Sequence, residues 1–131
     1  MAEALALHVV CLVDDDSSTR KSFTRLLESD GFRVQAFSEP GPFLEHLALH
    51  SVAVAILDIR ESATGMELLA QLDARSPRTR VIFITAAGAH GAPANMMPAS
   101  VFATFTKPVD DEQFLCAVRR AFQSGQEGQC R

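Results

Sequence analysis

Short apolar runs alternate with amphipathic stretches along the chain, and the spacing of the apolar positions predicts a regular succession of strands and helices. Residues 9–13 (Val-Val-Cys-Leu-Val) are apolar without a break, the pattern of a strand buried on both faces. Residues 17–29 follow with helical spacing: Phe23, Leu26 and Leu27 share one face, while Arg20, Lys21, Arg25 and Glu28 fall largely opposite. Asp30-Gly31 stops this helix, Gly31 supplying the left-handed cap. A shorter, more polar strand at 34–37 belongs at or near a sheet edge. Ser38-Glu39-Pro40 opens a second helix whose buried side carries Phe43, Leu44 and Leu47. The run Val-Ala-Val-Ala-Ile-Leu at 52–57 is the most hydrophobic segment and is placed at the sheet centre. A third helix is predicted over 65–73 through Met66, Leu68, Leu69 and Leu72, with further strands at 81–85 and 101–105. The last helix, 110–123, has Phe114, Leu115, Val118 and Phe122 as its apolar stripe, and Asp110 with Gln113 as a capping box.

Strands that alternate with helices imply a parallel sheet with right-handed crossovers, covered on both faces. A single domain is expected over residues 1–123, followed by a loose polar tail at 124–131. The length of 131 residues suits one domain with a real core. Lys+Arg 12 against Asp+Glu 16 gives a net charge of -4, and without a basic block this argues against direct nucleic-acid binding. No apolar run approaches the roughly 18 residues that span a bilayer, and Glu3 precedes the N-terminal apolar stretch where a signal peptide would be basic. Cys11, Cys116 and Cys130 have no paired spacing. Cys11 and Cys116 read as small buried thiols, which fits a reduced, cytoplasmic setting with no disulfide framework.

In such a sheet, ligands bind outside the carboxyl ends of the strands. The first strand ends in Asp14-Asp15-Asp16, the third in Asp58, the fourth in Thr85 and the fifth in Lys107-Pro108. Several carboxylates, one hydroxyl and one ammonium therefore converge on one mouth, a set suited to phosphoryl transfer onto a carboxylate. Phosphate and carboxylate repel, so the chemistry needs a divalent cation. Mg²⁺ takes one or two carboxylates plus water and phosphate. Asp14 and Asp15 are the candidate ligands, Asp58 the nucleophile, and Lys107 and Thr85 the partners of the phosphoryl oxygens. Each feature alone has an ordinary explanation: an Asp after a strand is commonly a helix cap, and Lys-Pro a turn.

As a set, Val13-Asp14-Asp15-Asp16, Leu57-Asp58, Ile84-Thr85-Ala86 and Thr106-Lys107-Pro108 resemble the signature of response-regulator receiver domains of two-component signalling. Residues 105–115 further resemble the receivers of nitrogen-fixation-type regulators. The resemblance spans about residues 8–123. It implies a flavodoxin-like three-layer (βα)5 fold with strand order 2-1-3-4-5, and phosphorylation of Asp58 by a sensor histidine kinase. It implies Mg²⁺ held by Asp14, Asp15, Asp58 and the backbone carbonyl of Arg60, phosphoryl oxygens held by Thr85 and Lys107, and a cis Lys107-Pro108 bond. A downstream protein or output domain would receive the signal.

Three departures stand out. Glu61 and Ser62 replace the family's Met-Pro, and Gly65 falls seven residues after Asp58 (65 − 58) rather than eight, so the loop beside the metal is one residue short. Between the fourth and fifth strands, Gly88, Gly91, Pro93 and Pro98 oppose a regular helix, since an interior proline costs about 3 kcal/mol. The helix there is predicted to be short (about one turn at 94–97) or missing. Thr104 occupies the position of the family's switch aromatic, which weakens the usual packing switch and leaves reordering of 86–100 or another surface to carry the signal. Two rival functions remain: a degenerate receiver that binds partners without phosphorylation, and a haloacid-dehalogenase-type phosphatase with Asp14 as nucleophile and Asp16 as its second acid.

Overall fold

The computed structural model describes residues 8–86 and 100–123. The elements run β1 (Val9–Asp14), α1 (Ser17–Ser29), β2 (Arg33–Phe37), α2 (Pro40–Leu49), β3 (Val54–Asp58), α3 (Ser62–Arg75), β4 (Arg80–Thr85), β5 (Val101–Thr106) and α4 (Asp111–Phe122). All neighbouring strands pair in parallel, in the order β2-β1-β3-β4-β5, as the sequence pattern and the resemblance imply. The expected short or missing helix between the fourth and fifth strands, and the tail at 124–131, lie outside the described residues.

Alternation along the buried strands divides the interior into two layers. Val10, Leu12, Val54, Ile56, Ile82 and Ile84 face α1 and α4, where Leu27, Phe114 and Val118 meet them. Cys11, Val13, Ala55, Leu57, Val81 and Phe83 face α2 and α3, packing on Phe43, Leu68, Leu69 and Leu72. The helix ends follow local chemistry. Asp16 caps α1 by accepting from the Thr19 amide at 2.9 Å. Gly31, at φ 95°, turns the chain out of α1 while its amide reaches the Glu28 carbonyl at 3.0 Å. Asp30 then holds Arg119 of α4 with two bonds of 2.8 Å, tying together the two helices on that face. Asp110 caps α4 through the Gln113 amide at 2.9 Å, but the Gln113 side chain does not return the bond, so the capping box is half made.

Two expectations need correction. The third helix begins at Ser62, three residues before the predicted start (65 − 62): Glu61 stands at the N-cap position in extended conformation without a side-chain cap bond, and its carbonyl already accepts the Gly65 amide at 3.0 Å. Gly65 is thus inside the first turn. Its place there is set by packing, since a Cβ would stand 3.2 Å from Cζ of Phe83 and 3.8 Å from Cβ of Ile59. The second correction concerns the thiols. Cys11 is buried and free, its pKa pushed up to about 11 by desolvation, but Cys116 is disulfide-bonded. Disulfide pairing follows proximity in the folded chain, which sequence spacing does not carry.

Gly65→Leu forces side-chain atoms into the α3–Phe83 contact, and we expect a loss of about 1–3 kcal/mol in chemical denaturation, with the slope of the transition unchanged.

Candidate functional site

The register brings the acids together. In the parallel ladder Val13 pairs with Leu57 and Asp14 with Asp58, so two carboxylates leave the sheet side by side. Both are buried: Asp14 is 0% exposed and Asp58 3%. Burial pushes both pKa values up, Asp14 to about 7, and each acid feels further negative charge from its neighbours. The compensating charge is Lys107, whose Nζ lies 3.0 Å from Asp58 Oδ2. This contact is an ion pair rather than an aligned hydrogen bond. It is supplied by the turn after β5, where the Lys107 amide bonds to the Thr85 carbonyl at 2.9 Å and the Lys107-Pro108 bond is cis, as the resemblance implies.

The three acids of the triplet have different fates. Asp14 Oδ1 accepts from the Asp16 amide at 3.0 Å, while Oδ2 is buried without a hydrogen-bond partner. The exposed Asp15 accepts from the Arg60 amide at 3.1 Å, which ties the loop after β3 to the loop after β1. Asp16 is taken up by α1: the hydroxyls of Thr19 (2.6 Å) and Ser18 (3.0 Å), with the Thr19 amide, hold its pKa down at about 2. The Arg60 guanidinium adds an ion pair to Asp16 at 3.3 Å while remaining 73% exposed. The Thr85 hydroxyl turns to β5, donating weakly to the Phe105 carbonyl at 3.4 Å and lying 3.5 Å from the Thr106 hydroxyl.

Asp14, Asp58 and Lys107 are therefore assembled as anticipated, Asp15 and Arg60 stand at the rim, and Thr85 is close in sequence register but aimed away. The arrangement departs in one respect from an open mouth, because Asp58 sits under the Lys107 ammonium. Two roles escaped the sequence reading. One is the Arg60 side chain, whose signal was a cation in a loop facing three acids. The other is Arg20, which bonds to the Asp14 carbonyl at 2.8 Å.

The donor set fits Mg²⁺. Among the described residues no three His, Cys, Asp or Glu side chains form a closed metal cage, but an ion that keeps several waters needs only one or two carboxylates. The unpartnered, buried Asp14 Oδ2 is the oxygen such an ion would satisfy. No helix among the described residues is long and apolar enough to cross a membrane.

Raised carboxyl pKa values link stability to pH. From 3.8 to about 7 the folded chain retains protons that the unfolded chain has released. Stability is therefore greatest at the acid end of that window and falls as pH rises through it. His46, whose pKa is lowered by burial and by His50, acts with the opposite sign below 6.5. In protein freed of divalent cations, Asp14→Asn should flatten the fall and raise stability at pH 8 by on the order of 1–3 kcal/mol, read from thermal melts across the pH range.

Residues 10–119 match the response regulator receiver domain family. Over 130 residues the chain is 32% identical to the transcriptional regulatory protein FixJ of Azorhizobium caulinodans, an alignment covering 98% of this chain and 60% of that protein. It is 34% identical over 122 residues to the DNA-binding transcriptional regulator NtrC of Escherichia coli, covering 92% of this chain and 26% of NtrC. The chain thus spans only part of the length of the curated relatives it matches. The solution structure of the apo receiver domain of nitrogen regulatory protein C is similar with a TM-score of 0.79 at 32% identity, covering 92% of this chain and 98% of that one. The crystal structure of FixJ-N gives the same TM-score at 27% identity and the same coverage. With residues 10–119 matching the family and with the sheet order β2-β1-β3-β4-β5, the chain belongs to the response regulator receiver domain family of two-component signalling.

Proposed function

We propose that the protein accepts a phosphoryl group on Asp58 from the phosphohistidine of a sensor histidine kinase and passes the signal on by conformational change. The observation that carries this reading is the buried pair Asp14–Asp58 with one ammonium, that of Lys107, 3.0 Å from the Asp58 oxygen. A nucleophilic carboxylate has to be ionised. Burial opposes ionisation of Asp58, and Lys107 restores it in part by lowering the pKa that desolvation raises. In the transfer, an oxygen of Asp58 forms a bond to phosphorus as the phosphorus–nitrogen bond breaks. The imidazole keeps that electron pair and leaves as neutral histidine once protonated.

Lys107 has a flexible stem and 31% exposure, so its ammonium can follow a phosphoryl oxygen as the new group takes its place over Asp58. Thr85 gives up little by turning inward, since its present bond to Phe105 is 3.4 Å long. Mg²⁺, when bound, would be held by Asp14, Asp15, Asp58 and the Arg60 carbonyl and would supply the positive charge that lets phosphate approach carboxylate. The protein is then a phospho-acceptor, not an enzyme in its own right, apart from slow self-dephosphorylation. Within this reading residues 1–123 are the receiver and 124–131 a tail, the location is cytoplasmic, and the output lies in a downstream protein or an attached domain.

Two observations favour a second reading, a receiver that docks partners without phosphorylation: Asp58 is 3% exposed, and the Thr85 hydroxyl is turned to the Phe105 carbonyl. The phosphatase alternative loses its support, because Asp16 is committed to capping α1 and Asp14 is fully buried.

Incubation with acetyl phosphate and Mg²⁺ should add the mass of one phosphoryl group to the intact protein. The gain should vanish in Asp58→Asn and with a chelator, and appear at least about tenfold more slowly in Lys107→Ala. No mass gain under these conditions would establish the phosphorylation-independent reading.

A further inference from the structure

The pole opposite the acids, at the N-terminal ends of β3, β4 and β5, carries a trench. One cavity of about 610 Å³ lies between Leu47–Ser51 and Arg75. A second, of about 590 Å³, is bordered by Val52, Arg75, Arg78, Arg80 and Phe122. A third, of about 530 Å³, reaches Asp73, Val101 and Phe102. The first two share Ser51, Arg75 and Ser76, and the last two share Pro77, Arg78 and Arg80, so the three adjoin in a row.

Its charged side chains are mainly cationic. Arg75 and Arg78 are exposed, and no ion pair among the described residues engages either of them. The Arg80 and Arg120 guanidinia lie over the Phe102 ring at 5.3 and 5.8 Å. Asp73, the carboxylate in the walls among the described residues, accepts the Ser100 hydroxyl at 3.0 Å. This cationic strip is carried by a chain whose net charge is -4. Apolar surface accompanies it: Leu49 is 80% exposed at one end, with Pro77, Phe122 and Phe102 further along. Arg75 has a local explanation, since it complements the C-terminal dipole of α3. Arg78 lies beyond that helix and is exposed.

We infer that this trench binds an extended acidic peptide segment of a partner protein, its Asp and Glu side chains pairing with Arg75 and Arg78 and its apolar side chains covering Leu49 and Phe122. Charge complementarity selects an anion. Shape selects a peptide over a nucleotide or free phosphate, because small-molecule sites enclose most of their ligand, whereas this surface is a long open channel. The site is distinct from the Asp58 mouth and independent of phosphorylation.

Fluorescence anisotropy with a labelled eight-residue peptide of Glu-Asp pairs alternating with Leu and Phe tests the inference on the full chain. Binding should weaken at least about tenfold in Arg75→Glu/Arg78→Glu, and by a similar factor when salt rises from about 50 to 500 mM. Leu49→Ser should weaken it by a smaller factor, and circular dichroism should show both variants folded. Asp58→Asn should bind as tightly as the parent chain, and the double arginine variant should still gain a phosphoryl group from acetyl phosphate. These two results separate failure here from failure of the phosphorylation reading. Absence of binding, equal binding by the arginine variant or by a lysine-for-acid peptide, or displacement of the peptide by lower concentrations of ADP or inorganic triphosphate would each overturn the inference.

Discussion

Two carboxylates that end adjacent strands in register cannot both be charged cheaply inside a protein, and the rest of the site answers that constraint. The sheet forces the proximity, because Asp14 and Asp58 continue the β1–β3 ladder that begins at Val10 and Val54. The apolar layers below them remove water and make the repulsion costly. Lys107 offers one compensating charge, delivered by a turn that β4 and β5 hold in place. What remains uncompensated, chiefly the second oxygen of Asp14, is the local store of electrostatic free energy that a cation or an incoming group can relieve.

The loops around this pair are built to be held rather than to be free. Arg60 reaches across with both its amide and its guanidinium, joining the segment after β3 to Asp15 and Asp16. This places a positive charge beside the acids even though the loop lacks the family's proline. Asp16, by contrast, is withdrawn from the chemistry by its three contacts at the start of α1, and its lowered pKa reflects helix capping. Adjacent identical residues thus do different work because their neighbours differ.

Much of this architecture was legible from residue order. Uninterrupted apolar runs marked the buried strands, the helical stripe of Phe114, Leu115 and Val118 marked the last helix, and polar residues at strand ends marked the site. Three kinds of information were not legible. The start of α3 depended on the backbone bond from the Gly65 amide to the Glu61 carbonyl and on how closely a glycine can approach Phe83. The direction of the Thr85 hydroxyl depended on which oxygens β5 presents. The disulfide state of Cys116 depended on tertiary proximity, which one-dimensional spacing does not encode.

The pairing of β4 with β5 slips between Val81–Val101 and Ile82–Ala103, leaving Phe102 as the extra residue of a bulge. Such a bulge bends the outermost strand and breaks the even row of amides and carbonyls along its free side. An incoming strand from another molecule then meets an irregular template and cannot extend the sheet in step. The same irregularity that turns Phe102 toward the arginines thereby acts as a guard against edge-to-edge aggregation, a protection that a straight β5 of identical composition would lack.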